Sequence, residues 1–429
     1  MNTKNALLDP SFAEGGKVLL PNTITSVQSS LKTAKGRVCI GTAHVDGTSA
    51  YVVFRLDDEA RLDPAFGREG LTTGTFRPEN SSRGHSVLVL DDGRYLIIGT
   101  TTDGSYFGSR PALARFHDNG SLDTSFANGG HLVIEQPAVP IDLKGAQSSK
   151  VCPLTPTAKG IPQSPQAEHE LQNWQVQHAV DGIYVLYTPN GWDSMLLKYD
   201  SNGELDQSFN NTGYKYLSLN FTTWTAATTL QVSEKYIVVG GTISGPEGYH
   251  RCCAIRLHHS GEYDQFFGEG GFGYFTPSLR IFKGLTLLPD GRIVSCGLEQ
   301  DLGSLLAALD ADGNIDTSFD STPIHLEDGA SVTWEHVDVI ESAPSKIIAT
   351  GVASTQSNEW PMLIGRFNSN GKLDTTFADN GTGRIALGQL TLPHSGEVDT
   401  EGRTLVHGAT TLPGPSKGFI LRCLTNSGG

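Results

Sequence analysis

Short apolar stretches recur along the chain, parted by turns rich in glycine and aspartate. Alternating stretches such as 87–90, 285–288 and 337–340 run into turns of the DDGR or PDGR kind. A second apolar stretch follows at once: GRVCIGT, GRYLIIGT, GIYVLYT, KYIVVGGT, GRIVSCG, SKIIATG and GRTLVHG. After a variable loop comes a third: AYVVFRLD, ALARFHD, SMLLKYD, CAIRLHH, SLLAALD, MLIGRFN and GFILRCL. A short fourth, such as GLTTGTF or GHLVIEQ, closes the unit. Runs of this length, bounded by turn residues, predict β-strands in groups of four.

Between the third and fourth stretches one motif recurs seven times. It reads LDPSFAEGG, LDPAFGREG, LDTSFANGG, LDQSFNNTG, YDQFFGEGG, IDTSFDSTP and LDTTFADNG. Its aspartates are Asp9, Asp63, Asp123, Asp206, Asp264, Asp316 and Asp374, at steps of 54, 60, 83, 58, 52 and 58 residues. Four strands per repeat predict an all-β fold, a seven-bladed β-propeller with four antiparallel strands per blade. The chain starts with a motif and a lone strand (KVLL) and ends after a third strand. The N-terminal strand is therefore expected to complete the C-terminal blade and close the ring, which removes the open edges of a linear array. The whole chain forms a single domain on this reading. The L-D-x-x-F-x-x-x-G unit at a step near sixty resembles the bacterial delta-60 repeat family. That resemblance implies a propeller and implies no particular activity.

Each residue type in the motif has a structural task. The aspartate accepts a backbone N–H two residues on and fixes a tight turn. The phenylalanine three residues later is expected to pack between blades, and the closing glycine supplies a positive φ.

The turns between first and second strands, and between third and fourth, lie on one rim and are regular. The opposite rim carries the variable loops and one long insertion at about 137–171, whose prolines Pro137, Pro140, Pro153, Pro156, Pro162 and Pro165 predict a loop. All five tryptophans map to this variable rim. Trp192 and Trp360 fall in loops with Tyr106 and Tyr249, while Trp174, Trp224 and Trp334 fall on innermost strands. Aromatics exposed on a rim suit sugar stacking or a protein contact. Those seven residues form the predicted ligand surface.

Innermost strands also bring His85, His178, Glu335, His336, Asp338, His394, Glu397 and Asp399 towards the axis on that rim. His85, His336, Asp338 and His394 are the candidates for holding a divalent metal or doing acid–base work on a small substrate. No HExxH, GxSxG or Ser-His-Asp spacing sharpens that idea. A second metal candidate is the turn Asp310, Asp312, Asn314 and Asp316, whose alternating oxygen side chains resemble a calcium loop. Its counterparts in other repeats have too few carboxylates, and a polar turn is the simpler reading. No cofactor is predicted, with a divalent metal the alternative.

Charge narrows the partners. With 31 Lys+Arg against 46 Asp+Glu the net charge is −15, and no basic block is present, which excludes nucleic acid as a partner. No apolar run is long enough for a membrane helix, and the N-terminus lacks the features of a signal peptide. The expected place is the cytoplasm, or outside it by a route without a cleaved signal. Six scattered cysteines are expected to be buried thiols. The sequence favours a monomeric, non-enzymatic platform that recognises a partner protein or a glycan. The rival is a metal-dependent hydrolase or lyase at the axis.

Overall fold

The computed structural model describes residues 7–104, 109–135, 174–179, 181–188, 194–217, 224–244, 250–277, 279–299, 303–342, 344–355, 359–411 and 415–426. They form seven antiparallel sheets. The first sheet, blade 1, runs in chain order from its inner strand Ile24–Thr33 through Gly36–Val45 and Thr48–Leu56 to the outer Leu71–Gly74. Inner strands of blades 2 to 7 are Ser81–Val89, Trp174–Ala179, Trp224–Val232, Leu279–Leu287, Ser331–Ile340 and Leu390–Val398. Each touches the inner strands on both sides, so the seven form a closed ring. The chain is a seven-bladed β-propeller.

Closure runs as the termini imply. Lys17–Leu19 pairs antiparallel with Ser416–Cys423, Lys17 opposite Leu421, and supplies the outer strand of blade 7. Blade 5 differs from the others. Its motif ends in Pro323 rather than glycine, its sheet has three strands, and Ile324 N–H donating to Ser304 O (3.0 Å) stands where the fourth would pair.

Second and third strands are buried along most of their length, because a neighbouring blade covers each of their faces. One apolar cluster, for example, joins Val38, Ile40 and Val53 of blade 1 to Tyr95, Ile97 and Phe116 of blade 2. The core is thus a ring of seams. Among the described residues no helix is long and apolar enough to cross a membrane.

The motif builds those seams. In all seven copies the aspartate Oδ1 accepts the N–H two residues on, at 2.9–3.2 Å. Its other oxygen takes a cation from the third strand: Arg55–Asp63, Arg115–Asp123, Lys198–Asp206, Arg256–Asp264, Arg366–Asp374 and, across the termini, Arg422–Asp9. Blade 5 has Ala308 at that place, and Arg292, just ahead of the second strand Ile293–Glu299, reaches Asp316 instead, at 3.2 Å. The same arginines cross to the next blade: Arg55 Nη1 donates to Asp118 O, Arg115 Nη1 to Ser201 O and Arg366 Nη1 to Thr425 O. Phe66, Phe126, Phe267, Phe319 and Phe377 are buried, and the guanidinium lies over the ring at 5.1 Å for Arg55 on Phe66. The next blade's turn glycine closes on that ring: a Cβ on Gly120 (φ +83°) would lie 2.8 Å from Phe66.

Candidate functional site at the propeller axis

The second strand of most blades carries a glycine within it: Gly41, Gly99, Gly241, Gly297, Gly351 and Gly408. Each pairs with an inner-strand residue, and a Cβ there would strike the carbonyl oxygen of the residue just before that partner: Ser26, Arg83, Ala226, Ile281, Thr333 and Leu392. Directly after the paired residue the inner strand carries one extra residue, a β-bulge. The extra residues are Gln28, His85, Thr228, Lys283, Glu335 and His394. Blade 3 is the control within the molecule. Tyr187 stands where the glycine would be, opposite Trp174, and the strand pairs through to Ala179 without a shift.

Six blades therefore each insert one polar residue at the same height of the ring. All six are part-exposed although blades cover both faces of their sheets, so they border the axial opening. Gln28 Nε2 meets His394 Nδ1 at 2.8 Å and Lys283 Nζ meets Glu335 at 3.0 Å, in each case between adjacent blades. His85 and His394 sit on blades 2 and 7, which flank blade 1, yet the charge of His394 reaches His85. Burial first, then Arg83 and His394, lower the His85 pKa to about 3, and its Nε2 lies 3.2 Å from Thr100 Oγ1.

A second group sits where blades 7 and 1 meet. His407 is fully buried: Ser30 Oγ is 2.7 Å from its Nε2 and Ser395 Oγ 2.9 Å from its Nδ1. Arg37 Nη1 donates to Ser30 Oγ at 2.8 Å and lies 3.6 Å from Glu397 Oε1. Burial depresses the His407 pKa to about 3. Glu397 keeps 46% of its side chain open. Burial of its carboxyl among the blades raises its pKa to about 7, with Asp338 and Asp399 adding to the rise and Arg37 opposing it.

The sequence-predicted axial residues are partly assembled. His85 and His394 border the opening with Glu335, while Glu397 stands three residues beyond the blade 7 bulge, beside Arg37 of blade 1. Asp338 is held as a strut: Oδ1 accepts Val339 N–H at 2.8 Å, and Oδ2 accepts Val398 N–H of blade 7 at 2.7 Å. His336 follows the blade 6 bulge, opposite Thr350. Asp399 leaves the axis and shapes a turn, accepting the N–H groups of Glu401 and Arg403. The bulge residues lie midway along their strands, and Asp338 and Glu397 lie towards the regular rim, which corrects their expected placement on the variable one. Among the described residues no three His, Cys, Asp or Glu side chains gather as a metal set. The Asp310 turn is occupied by its own chain: Asp310 Oδ1 accepts Asp312 N–H and Asn314 N–H, and Asp316 serves Ser318 and Arg292. Five described cysteines, Cys39, Cys252, Cys253, Cys296 and Cys423, are buried thiols.

The aromatic surface does not assemble as expected. Trp334 is fully buried, edge-on to Phe367 with ring centroids 5.9 Å apart, and its backbone N–H donates to Ser304 Oγ. Trp360 is half-buried, its backbone bonded on both sides to Gln389 and Thr391. Tyr106, Trp192, Tyr249 and the 137–171 insertion lie outside the described residues, as do the side chains of Trp174, His178 and Trp224.

A family model described as a domain of unknown function (DUF5122) β-propeller matches residues 90–126 and 345–377. The chain is a β-propeller protein. No curated protein matches its sequence. Solved structures that align with this propeller include a GH43 endo-arabinanase from Bacillus licheniformis (13% identity, 58% of this chain, 93% of that chain, TM-score 0.35). Others are the β-propeller domain of the Trilobed protease from Pyrococcus furiosus (10%, 95%, 97%, TM-score 0.45) and an endo-arabinase from Bacteroides thetaiotaomicron (10%, 60%, 95%, TM-score 0.34). At these values the likeness is one of fold. The expectation of a non-enzymatic recognition platform is corrected in the feature that carried it: of its aromatic surface, Trp334 is buried and Trp360 half-buried.

Proposed function

We propose that the axial opening is the catalytic centre of a hydrolase that works by general acid–base chemistry on a small, hydroxyl-rich substrate, a glycoside in the first instance. The observation that carries this reading is Glu397, a carboxyl whose pKa of about 7 leaves it able to give and take a proton near neutrality. A second carboxylate, Glu335, stands at the blade 6 bulge in an ion pair with Lys283. Two carboxyl groups in contrasting surroundings are what acid-assisted cleavage of a glycosidic bond requires, one to protonate the leaving oxygen and one to activate water or stabilise charge. Gln28, His85 and His394 supply hydrogen-bonding groups for hydroxyls. The motif also supports assigning the repeats to the delta-60 family, since its aspartate, phenylalanine and glycine each do the same task in blade after blade.

The test is turnover of chromogenic aryl glycosides and lactones between pH 5 and 9. Activity should fall as pH rises past 7, and Glu397→Gln should lose about a hundredfold or more in kcat while keeping its fold. Absence of turnover across the panel, or full activity in Glu397→Gln, would overturn the reading.

A further inference from the structure

The hydrogen bonds at the seam of blades 7 and 1 have only one consistent direction. Ser395 Oγ donates to Gln28 O at 2.6 Å, so its single proton is spent. His407 Nδ1, 2.9 Å from the same oxygen, must then be the donor, and Nδ1 carries the ring proton. His407 Nε2 is left as acceptor for Ser30 Oγ–H, and Ser30 Oγ in turn accepts Arg37 Nη1–H. The chain is saturated from Arg37 to the Gln28 carbonyl. It pins the backbone of the bulged residue Gln28 through the buried Ser30 and His407.

The Gln28 side chain extends the same logic to the opening. Its amide nitrogen has protons to give and no lone pair to receive, so His394 Nδ1, at 2.8 Å, accepts. The proton of neutral His394 is then on Nε2. The geometry points to Gln28 as a positioning residue that fixes His394 as an Nε2–H donor, backed by a buried His407 locked in the opposite tautomer. Resting on the catalytic reading above, this gives His394 the task of donating to a substrate oxygen and leaves proton transfer to Glu397. It also sets a specificity: the site favours a hydrogen-bond acceptor at that point, and a substrate group that can only donate would face an N–H.

The test reads the tautomers directly. The full-length protein, labelled with 15N-histidine, is examined by long-range 1H–15N correlation at pH 7.5, with the His394 signal identified by its loss in His394→Gln. The expected result is an Nε2–H pattern for His394 and an Nδ1–H pattern for a second, slowly exchanging histidine. Gln28→Glu presents only acceptors, so His394 should move its proton to Nδ1 or become doubly protonated, whereas Ser395→Ala should broaden the His394 signal without inverting it. An Nδ1–H or doubly protonated His394 in the unaltered protein, or an unchanged pattern in Gln28→Glu, would overturn the proposal. The tautomers are read without any substrate, so their appearance as expected alongside an inactive protein would remove the hydrolase reading alone.

Discussion

Gly351 lies directly opposite Trp334, and the space a side chain would need at Gly351 is filled by the Thr333 carbonyl. This close approach accompanies the bulge that sets Glu335 at the axial opening, and five other blades repeat it. Gly351→Ala should therefore force inner and second strands apart, with a loss of about 1–3 kcal/mol on the scale of overpacking a filled site. Urea denaturation of the purified variant measures it. An alanine variant as stable as the parent would show that the glycine is incidental to the bulge.

The seam aspartates lead to a second expectation. Arg115 and Asp123 retain only 3% and 4% of their side-chain surface, and Arg94 adds a second cation at 2.6 Å. Asp123→Asn leaves buried guanidinium charge without its counter-ion, a change that costs about 3–5 kcal/mol in such settings. The same substitution at Asp316 should cost less, because Arg292 is more open to water and pairs with Asp290 as well. Parallel thermal melts of the two variants decide it. Equal losses would show that burial is not what makes the pair matter.

Much of this was readable from sequence. The motif count, the strand grouping and the closure by the N-terminal strand follow from spacing alone, and the turn role of Asp9 or Asp63 follows from the chemistry of its side chain. The cation eight residues before the motif aspartate, as in Arg55 and Asp63, stood in nearly every third strand and was the missed signal for the clasp. The glycine within the second strand was another, and its replacement by Tyr187 marked the one blade that lacks the bulge. What alternation could not yield was the direction of Trp334 or Glu335. A bulge shifts the in–out parity of every residue beyond it, so one period-two count along Ser331–Ile340 cannot place the residues on both sides of Glu335. Gln28 and His394, 366 residues apart, meet only because the ring closes.

Glu397 predicts an unusual loss of stability on the basic side. Its pKa rises from 4.5 to about 7 on folding, so the folded state holds a proton that the unfolded chain has released. Its contribution is fully present below pH 4.5 and is lost as pH rises through 7. Denaturation midpoints at pH 5 and pH 8 should fall further for the parent than for Glu397→Gln, which carries no titrating proton there. Identical pH dependence in the two proteins would mean that Glu397 ionises freely in the folded state.

His85 and His407 act with the opposite sign. Both pKa values drop from 6.5 to about 3 on folding, so the unfolded chain takes up protons that the folded one refuses. Their contribution is full above pH 6.5 and is lost as pH falls towards 3, with a slope of about 1.4 kcal/mol per pH unit for each histidine across that window. For His407 the cause is visible in its partners: a proton on Nε2 would face Arg37 through the Ser30 hydroxyl, and that hydroxyl would have to turn and give up its bond. Acid should therefore open the closing seam, where blade 7 meets blade 1, ahead of the others. Hydrogen exchange followed by mass spectrometry between pH 7 and 4 tests this, provided rates are corrected for their intrinsic pH dependence. Protection should fall first in Leu390–Val398 and Ile24–Thr33, and His407→Gln should blunt that fall. Loss of protection spread evenly over all seven blades would show that the closing seam is no weaker in acid than the rest.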